Sequence, residues 1–182
     1  MANALSEEKH ILCEKTPRHL HKIESIKTAL PDSKFVVVTR DAKDTVFSMK
    51  NRSGDFKASL ARWKTDNQVV LENIDKKNIL LVRYEELIEQ QEDTVKSICK
   101  FIGVDFEHTM FDYNTSGKTW FGLDKPKETD GKGEANHVER RAWQMTQPIH
   151  DRRGIWKGKL KDEEVEIIED QTKEIMRALG YK

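Results

Sequence analysis

The sequence predicts an α/β domain in which a parallel sheet is flanked by helices. Three observations carry that expectation. Two continuous apolar runs, "KFVVVT" and "NILLVR", read as strands buried on both faces. A long segment of helical period separates them, the length needed for a parallel crossover connection. Each run ends in an arginine beside further polar residues, Arg40-Asp41 and Arg83-Tyr84-Glu85.

In chain order, "HILC" (residues 10–13) is a short apolar run that can form a first strand, and Pro17 suits the first turn of a helix. Leu20, Ile23, Ile26 and Leu30 then recur at helical spacing until "PDS" ends the helix. Asp41 can cap a short helix that carries Val46 and Met49 on one face. After "NRSG", a longer helix runs from about Phe56 to Asn73, with Leu60, Trp63 and Val70 near one face. "DTVKSICKFIG" puts Val95, Ile98, Cys99 and Ile102 on a stripe that Gly103 ends. Residues 112–133 lose periodicity and read as a variable loop or lid. The tail is amphipathic, with Val165, Ile168, Ile175 and Leu179 facing inward. At 182 residues, 1–182 reads as a single domain.

Composition narrows the function classes. The 32 basic and 32 acidic residues cancel, so no global field draws the chain to nucleic acid. No run reaches the roughly 18–20 apolar residues of a membrane span, and "MANALSEEKH" lacks the layout of a secretory signal. Cys13 and Cys99 lie far apart in apolar contexts and read as free thiols of a reducing compartment. The expected location is therefore cytoplasmic. His19 and His21 point to different sides of a helix, and no metal-ligand spacing occurs, so no metal is expected.

Ligands of open parallel sheets bind beyond the carboxyl ends of the strands. Glu14-Lys15, Arg40-Asp41 and Tyr84-Glu85 should therefore converge at one edge. Arg40 offers a fork that matches phosphate oxygens, and Ser48, two turns into the next helix, could add a hydroxyl. A strand-end salt bridge from Arg40 to Asp41 or Asp44 fits the spacing equally well.

"EKTPRHLHKIESIKTALPDSKFVVVTRDAKDTVFSMK" resembles the sulfotransferases that use 3′-phosphoadenosine-5′-phosphosulfate. The likeness continues through "LVRYEELIEQQEDTVKSICKFIGVDFE" and "QPIHDRRGIWKGKL", and covers most of residues 9–182. It implies a P-loop-NTPase-like sulfotransferase fold and transfer of a sulfuryl group to an acceptor hydroxyl. It also implies cofactor roles: Arg40 and Ser48 on the 3′-phosphate, Tyr84 beside the adenine, and Arg152, Arg153 and Gly154 returning to the 3′-phosphate. Glu-Lys-Thr-Pro is similar to the carbohydrate and bacterial branch, which makes Glu14 the general base and Lys15 its cationic neighbour. The acceptor would be a saccharide or another hydroxyl-bearing small molecule. Sulfuryl transfer needs in-line geometry and charge stabilisation and, in this picture, no metal.

One family element has no counterpart. The loop like Pro-Lys/Arg-Ser-Gly-Thr-Thr that grips the 5′-phosphosulfate should precede Glu14, and "MANALSEEKHILC" contains nothing suitable. "NTSGKTW" (114–120) imitates it and half-matches a Walker loop, but the first glycine would fall at Asp112. A surface turn is the expected reading there. The chain is thus expected to be N-terminally truncated relative to the family and not to complete transfer unaided. It would be a partial chain, a member whose site a partner completes, or a non-catalytic nucleotide-binding or interaction module. The missing first strand and helix would leave a sheet edge and an apolar face that favour a homo-oligomer.

Overall fold

The computed structural model describes residues 11–113 and 147–181. A 3-10 segment at Pro17–Lys22 leads into α1 (Ile23–Ala29), followed by β1 (Phe35–Thr39), α2 (Ala42–Ser53) and α3 (Phe56–Leu71). β2 (Ile79–Arg83), α4 (Tyr84–Glu89) and α5 (Gln91–Ile102) come next, and α6 (Asp162–Ala178) is the last helix described. β1 and β2 pair in parallel, with Phe35 opposite Ile79 and Thr39 opposite Arg83. The predicted α/β class, with a parallel sheet flanked by helices, is the observed one.

Local chemistry explains the element ends. The Asp41 carboxylate accepts from Asp44 N–H at 3.0 Å and caps α2; Asp55 caps α3 by accepting from Ala58 N–H at 2.9 Å. Gly103 closes α5 at a φ of 87°, a backbone state that other residues adopt at a cost. The core lies between α2, α3 and α6: Ala42, Val46, Leu60, Trp63, Leu160 and Ile168 form one buried cluster, with Phe47, Trp156 and Val165 packed against it. The inward stripes expected for α3 and α6 are thus the observed ones. α5 is shallower. Of its stripe only Cys99 is fully buried, because a narrow sheet backs it.

Two expectations are corrected. Residues 11–16 have no regular secondary structure, so "HILC" forms no strand over its described part, and the described sheet has two strands. A four-residue apolar run becomes a strand only with a neighbour to pair its backbone, and Ile11 and Leu12 are instead 55% and 53% exposed. Nor is β1 buried on both faces. Its burial alternates, and Val36 and Val38 are 36% and 57% exposed while Thr39 is buried. Among the described residues, the helices that make the core cover only one side of that strand. No described helix is long and apolar enough to cross a membrane.

Candidate anion site at the strand ends

The strand register builds the site. Because Thr39 lies opposite Arg83, Arg40 and Tyr84 leave the sheet side by side. The Arg40 guanidinium accordingly sits 4.7 Å above the Tyr84 ring, a cation–π contact. α3 fixes the strand end from behind. Trp63 Nε1–H donates to the Arg40 carbonyl at 3.2 Å, Thr39 Oγ1 donates to Asn67 Oδ1 at 2.8 Å, and Asn67 Nδ2 donates to the Trp63 carbonyl at 2.8 Å.

The segment after residue 147 then folds over the strand ends. Tyr84 Oη donates to the His150 carbonyl at 3.0 Å and accepts from Arg152 N–H at 3.2 Å. Arg40 Nη2 donates to the Arg152 carbonyl and lies 3.5 Å from Asp44 Oδ2. That same oxygen accepts from Gly154 N–H at 2.8 Å. At Gly154 the chain turns with a φ of 70°, a backbone state that residues with a side chain adopt only with strain. Arg40, Tyr84, Arg152 and Gly154, assembled here from three separate stretches of sequence, are therefore mutual neighbours. Ser48 follows Asp44 by four residues, so it lies on the same face of α2 one turn further on, and it is half-buried.

Arg40 is only partly satisfied. Among the described residues its buried Nε–H has no hydrogen-bond partner, and the same is true of Asp44 Oδ1 and Thr45 Oγ1. A guanidinium carries five N–H donors in a fixed fork. The strand-end salt bridge, one of the two alternatives open in the sequence, therefore forms with Asp44, and it leaves the Nε donor of the fork without a partner among the described residues.

Arg153 is held elsewhere, by Asp151 and Glu89. The Arg153 side chain and backbone N–H both donate to Asp151 and hold its carboxyl at about 2. A folded pKa below the ordinary 3.8 means that whatever this pair contributes is present above that value and is lost as pH falls through about 2. An NMR titration of the Asp151 carboxyl carbon is expected to give a midpoint near 2. An ordinary midpoint would show that the pair does not persist in solution.

Glu14 and Lys15 lie on the exposed segment before the first 3-10 turn. Glu14 accepts from Thr16 Oγ1 at 2.6 Å and pairs with His19 Nδ1 at 2.7 Å. The Thr16 hydrogen bond, with the charges of His19 and Lys15, holds its carboxyl below the usual range. Among the described residues, no hydrogen bond or ion pair joins this pair to the Arg40 group, so the three-way convergence reduces to the two strands that form. "NTSGKTW" and most of the 112–133 lid lie outside the described residues.

Several supporting contacts had no signal in the sequence. Glu85 accepts from Asp41 N–H at 3.0 Å and from Tyr181 Oη at 3.0 Å, tying the last residues of the chain to the strand ends. Burial, with the neighbouring Asp44 and Glu85 carboxylates, pushes the Asp41 carboxyl up. Burial and Glu85 push the Tyr181 phenol up. Tyr181 sits 96 residues from Glu85, a separation at which no sequence pattern could announce the bond.

A family model described as "Sulfotransferase family" matches residues 2–108, more than half of the chain. The chain belongs to the sulfotransferase family. It is 24% identical to protein-tyrosine sulfotransferase A of Caenorhabditis elegans, over 93% of this chain and 44% of that protein. Identity to protein-tyrosine sulfotransferase 2 of Gallus gallus is 25%, over 76% of this chain and 38% of that protein. With the Drosophila melanogaster protein-tyrosine sulfotransferase it is 23%, over 93% and 34%. The chain thus spans less than half the length of these curated relatives.

Among solved structures, mouse sulfotransferase SULT7A1 complexed with PAP aligns with a TM-score of 0.56 at 19% identity, covering 85% of this chain and 61% of that one. The sulfotransferase domain from the curacin biosynthetic pathway aligns at 0.52 and 16%, covering 92% and 59%. At such identities the likeness establishes a shared sulfotransferase fold.

Proposed function

We propose that this chain is a single sulfotransferase-type domain that binds the 3′-phosphate of 3′-phosphoadenosine-5′-phosphosulfate and takes part in sulfuryl transfer to a hydroxyl. One observation carries the reading: among the described residues the buried Arg40 Nε–H has no acceptor, at the carboxyl end of a parallel strand pair. A buried donor left unpaired costs about 1–3 kcal/mol, and an anionic oxygen would offset that cost. Arg40 and the Ser48 hydroxyl would hold the 3′-phosphate, and Tyr84 would lie against the adenine. The Arg152 side chain and the backbone of Arg152, Arg153 and Gly154 would close over the phosphate, with the Arg153 side chain held back by Asp151 and Glu89. When bound, the cofactor supplies the sulfuryl group and leaves as an anionic bisphosphate, which suits this cluster of cations.

Glu14 keeps the role of base toward the acceptor hydroxyl, with Lys15 beside it. The acceptor class rests on two pointers. Glu-Lys-Thr-Pro points to the carbohydrate branch, whereas the curated relatives carry names that specify protein tyrosine. Both groups are hydroxyls, so a tyrosine peptide and a saccharide form two arms of one sulfate-transfer assay. Glu14→Gln should lower turnover with whichever arm reacts and leave nucleotide affinity unchanged.

The binding reading is tested directly at the Arg40 Nε–H, whose NMR signal is separable from the backbone. Adding 3′-phosphoadenosine 5′-phosphate should shift that signal, and adenosine 5′-phosphate should not. Equal responses to the two nucleotides would refute the 3′-phosphate assignment.

A further inference from the structure

Asp44 is the one group of the cluster to which the binding scheme gives no task, and it is the most deeply buried. Its side chain is 3% exposed, against 19% for the Arg40 side chain. One oxygen serves two partners, Gly154 N–H at 2.8 Å from a distant stretch and Arg40 Nη2 at 3.5 Å from one turn before, while Oδ1 has none among the described residues. Burying a carboxylate with one oxygen unsatisfied is expensive, and an alanine or leucine would fill the position at no such cost. The carboxylate does two things that an apolar residue cannot. It anchors one end of the Arg40 fork while Nε stays free, and it fastens the Gly154 turn to the start of α2 across 110 residues of sequence.

We propose that Asp44 is a positioning residue that holds the Arg40 guanidinium and the Gly154 turn together, so that both face the same 3′-phosphate. The proposal rests on the 3′-phosphate reading above. Asp44 does not touch the nucleotide. Its own negative charge repels a phosphate, so its benefit comes through the arginine that lies between them and through the backbone it draws in. A ligand without the 3′-phosphate gains nothing from this arrangement. The signature of positioning is therefore a change in preference between two nucleotides and not a general loss of binding.

The test uses the full chain, unsubstituted and as Asp44→Asn and Asp44→Ala, titrated with 3′-phosphoadenosine 5′-phosphate and with adenosine 5′-phosphate. An asparagine oxygen still accepts from Gly154 N–H but no longer carries charge to Arg40. Asp44→Asn should therefore keep the Gly154 amide protected from hydrogen exchange and reduce the preference for the 3′-phosphorylated nucleotide about tenfold, the size of one charge-assisted hydrogen bond misplaced. Asp44→Ala should lose the Gly154 protection as well and reduce the preference further. Affinity for adenosine 5′-phosphate should stay within about twofold in Asp44→Asn, since that ligand makes no use of the oriented fork. In the unsubstituted chain, which needs no variant to fold, Gly154 exchange should slow on adding the 3′-phosphorylated nucleotide and not on adding the other.

An equal loss of affinity for both nucleotides would mark a merely structural role and overturn the proposal. So would an unchanged preference in both variants, or a Gly154 amide that exchanges freely with and without nucleotide. If the unsubstituted chain shows no preference at all, the 3′-phosphate reading fails and takes the proposal with it. A preference that is present but indifferent to Asp44 removes the positioning role alone.

Discussion

Replacing Arg40 with alanine is expected to weaken binding of 3′-phosphoadenosine 5′-phosphate by about 1.5–3 kcal/mol, the range for a hydrogen bond to a charged group. Binding of adenosine 5′-phosphate should change far less. The effect should be large because Arg40 sits where three structural elements meet. Its backbone carbonyl is held by Trp63, its guanidinium lies over Tyr84, and its Nη2 reaches Asp44 and the Arg152 carbonyl. These contacts limit the rotamers of a flexible side chain before any ligand arrives, so little ordering remains to be done on binding. Arg40→Lys should recover only part of the loss, because a lysine keeps the charge and loses the planar fork. A loss from Arg40→Ala no larger than from Arg62→Ala, a partly exposed arginine on α3, would remove Arg40 from the site.

The largest effect on stability is expected at Trp63. It is 1% exposed at the centre of the α2–α3–α6 core, and its indole N–H holds the strand end from which the site projects. Trp63→Ala removes a large buried ring and should cost about 3–5 kcal/mol in urea unfolding. Trp63→Phe keeps most of the ring contact and leaves the Arg40 carbonyl without its donor. It should cost about 1–3 kcal/mol, the penalty for an unsatisfied buried polar group. It should also loosen Arg40 and so weaken 3′-phosphate binding more than its stability loss alone would suggest. A Trp63→Ala chain as stable as the parent would contradict the core described here.

Much of this fold is written locally. The β-branched run before Arg40, the cap offered by Asp41, the apolar spacing of Leu60, Trp63 and Val70, and the stop at Gly103 each depend on a few adjacent residues. Such features can be read from sequence because one physical cause acts over one or two turns. Legibility ends where the cause is tertiary. "HILC" has strand-like composition, but no described neighbour pairs with it, and a strand without a partner does not form. "FVVVT" looks covered on both faces because Val36 and Val38 are apolar, yet apolar composition does not by itself supply a covering layer.

The site divides in the same way. Arg40, Tyr84 and the basic-glycine segment could be named in advance, and the strand register explains why the first two meet. The bond from Gly154 to Asp44 and that from Tyr181 to Glu85 span 110 and 96 residues, and neither has a local signal. In the sequence Asp44 is visible only as one of two carboxylates within reach of Arg40. Its second partner gives it a different meaning.

The central property is the grip of the strand ends on a 3′-phosphate. Calorimetric titration of the unsubstituted chain with 3′-phosphoadenosine 5′-phosphate and with adenosine 5′-phosphate, at matched ionic strength, tests it most directly. The 3′-phosphorylated nucleotide should bind at least about tenfold more tightly, the least that one charge-assisted hydrogen bond to the free Arg40 donor should contribute. Equal affinities for the two nucleotides would contradict it.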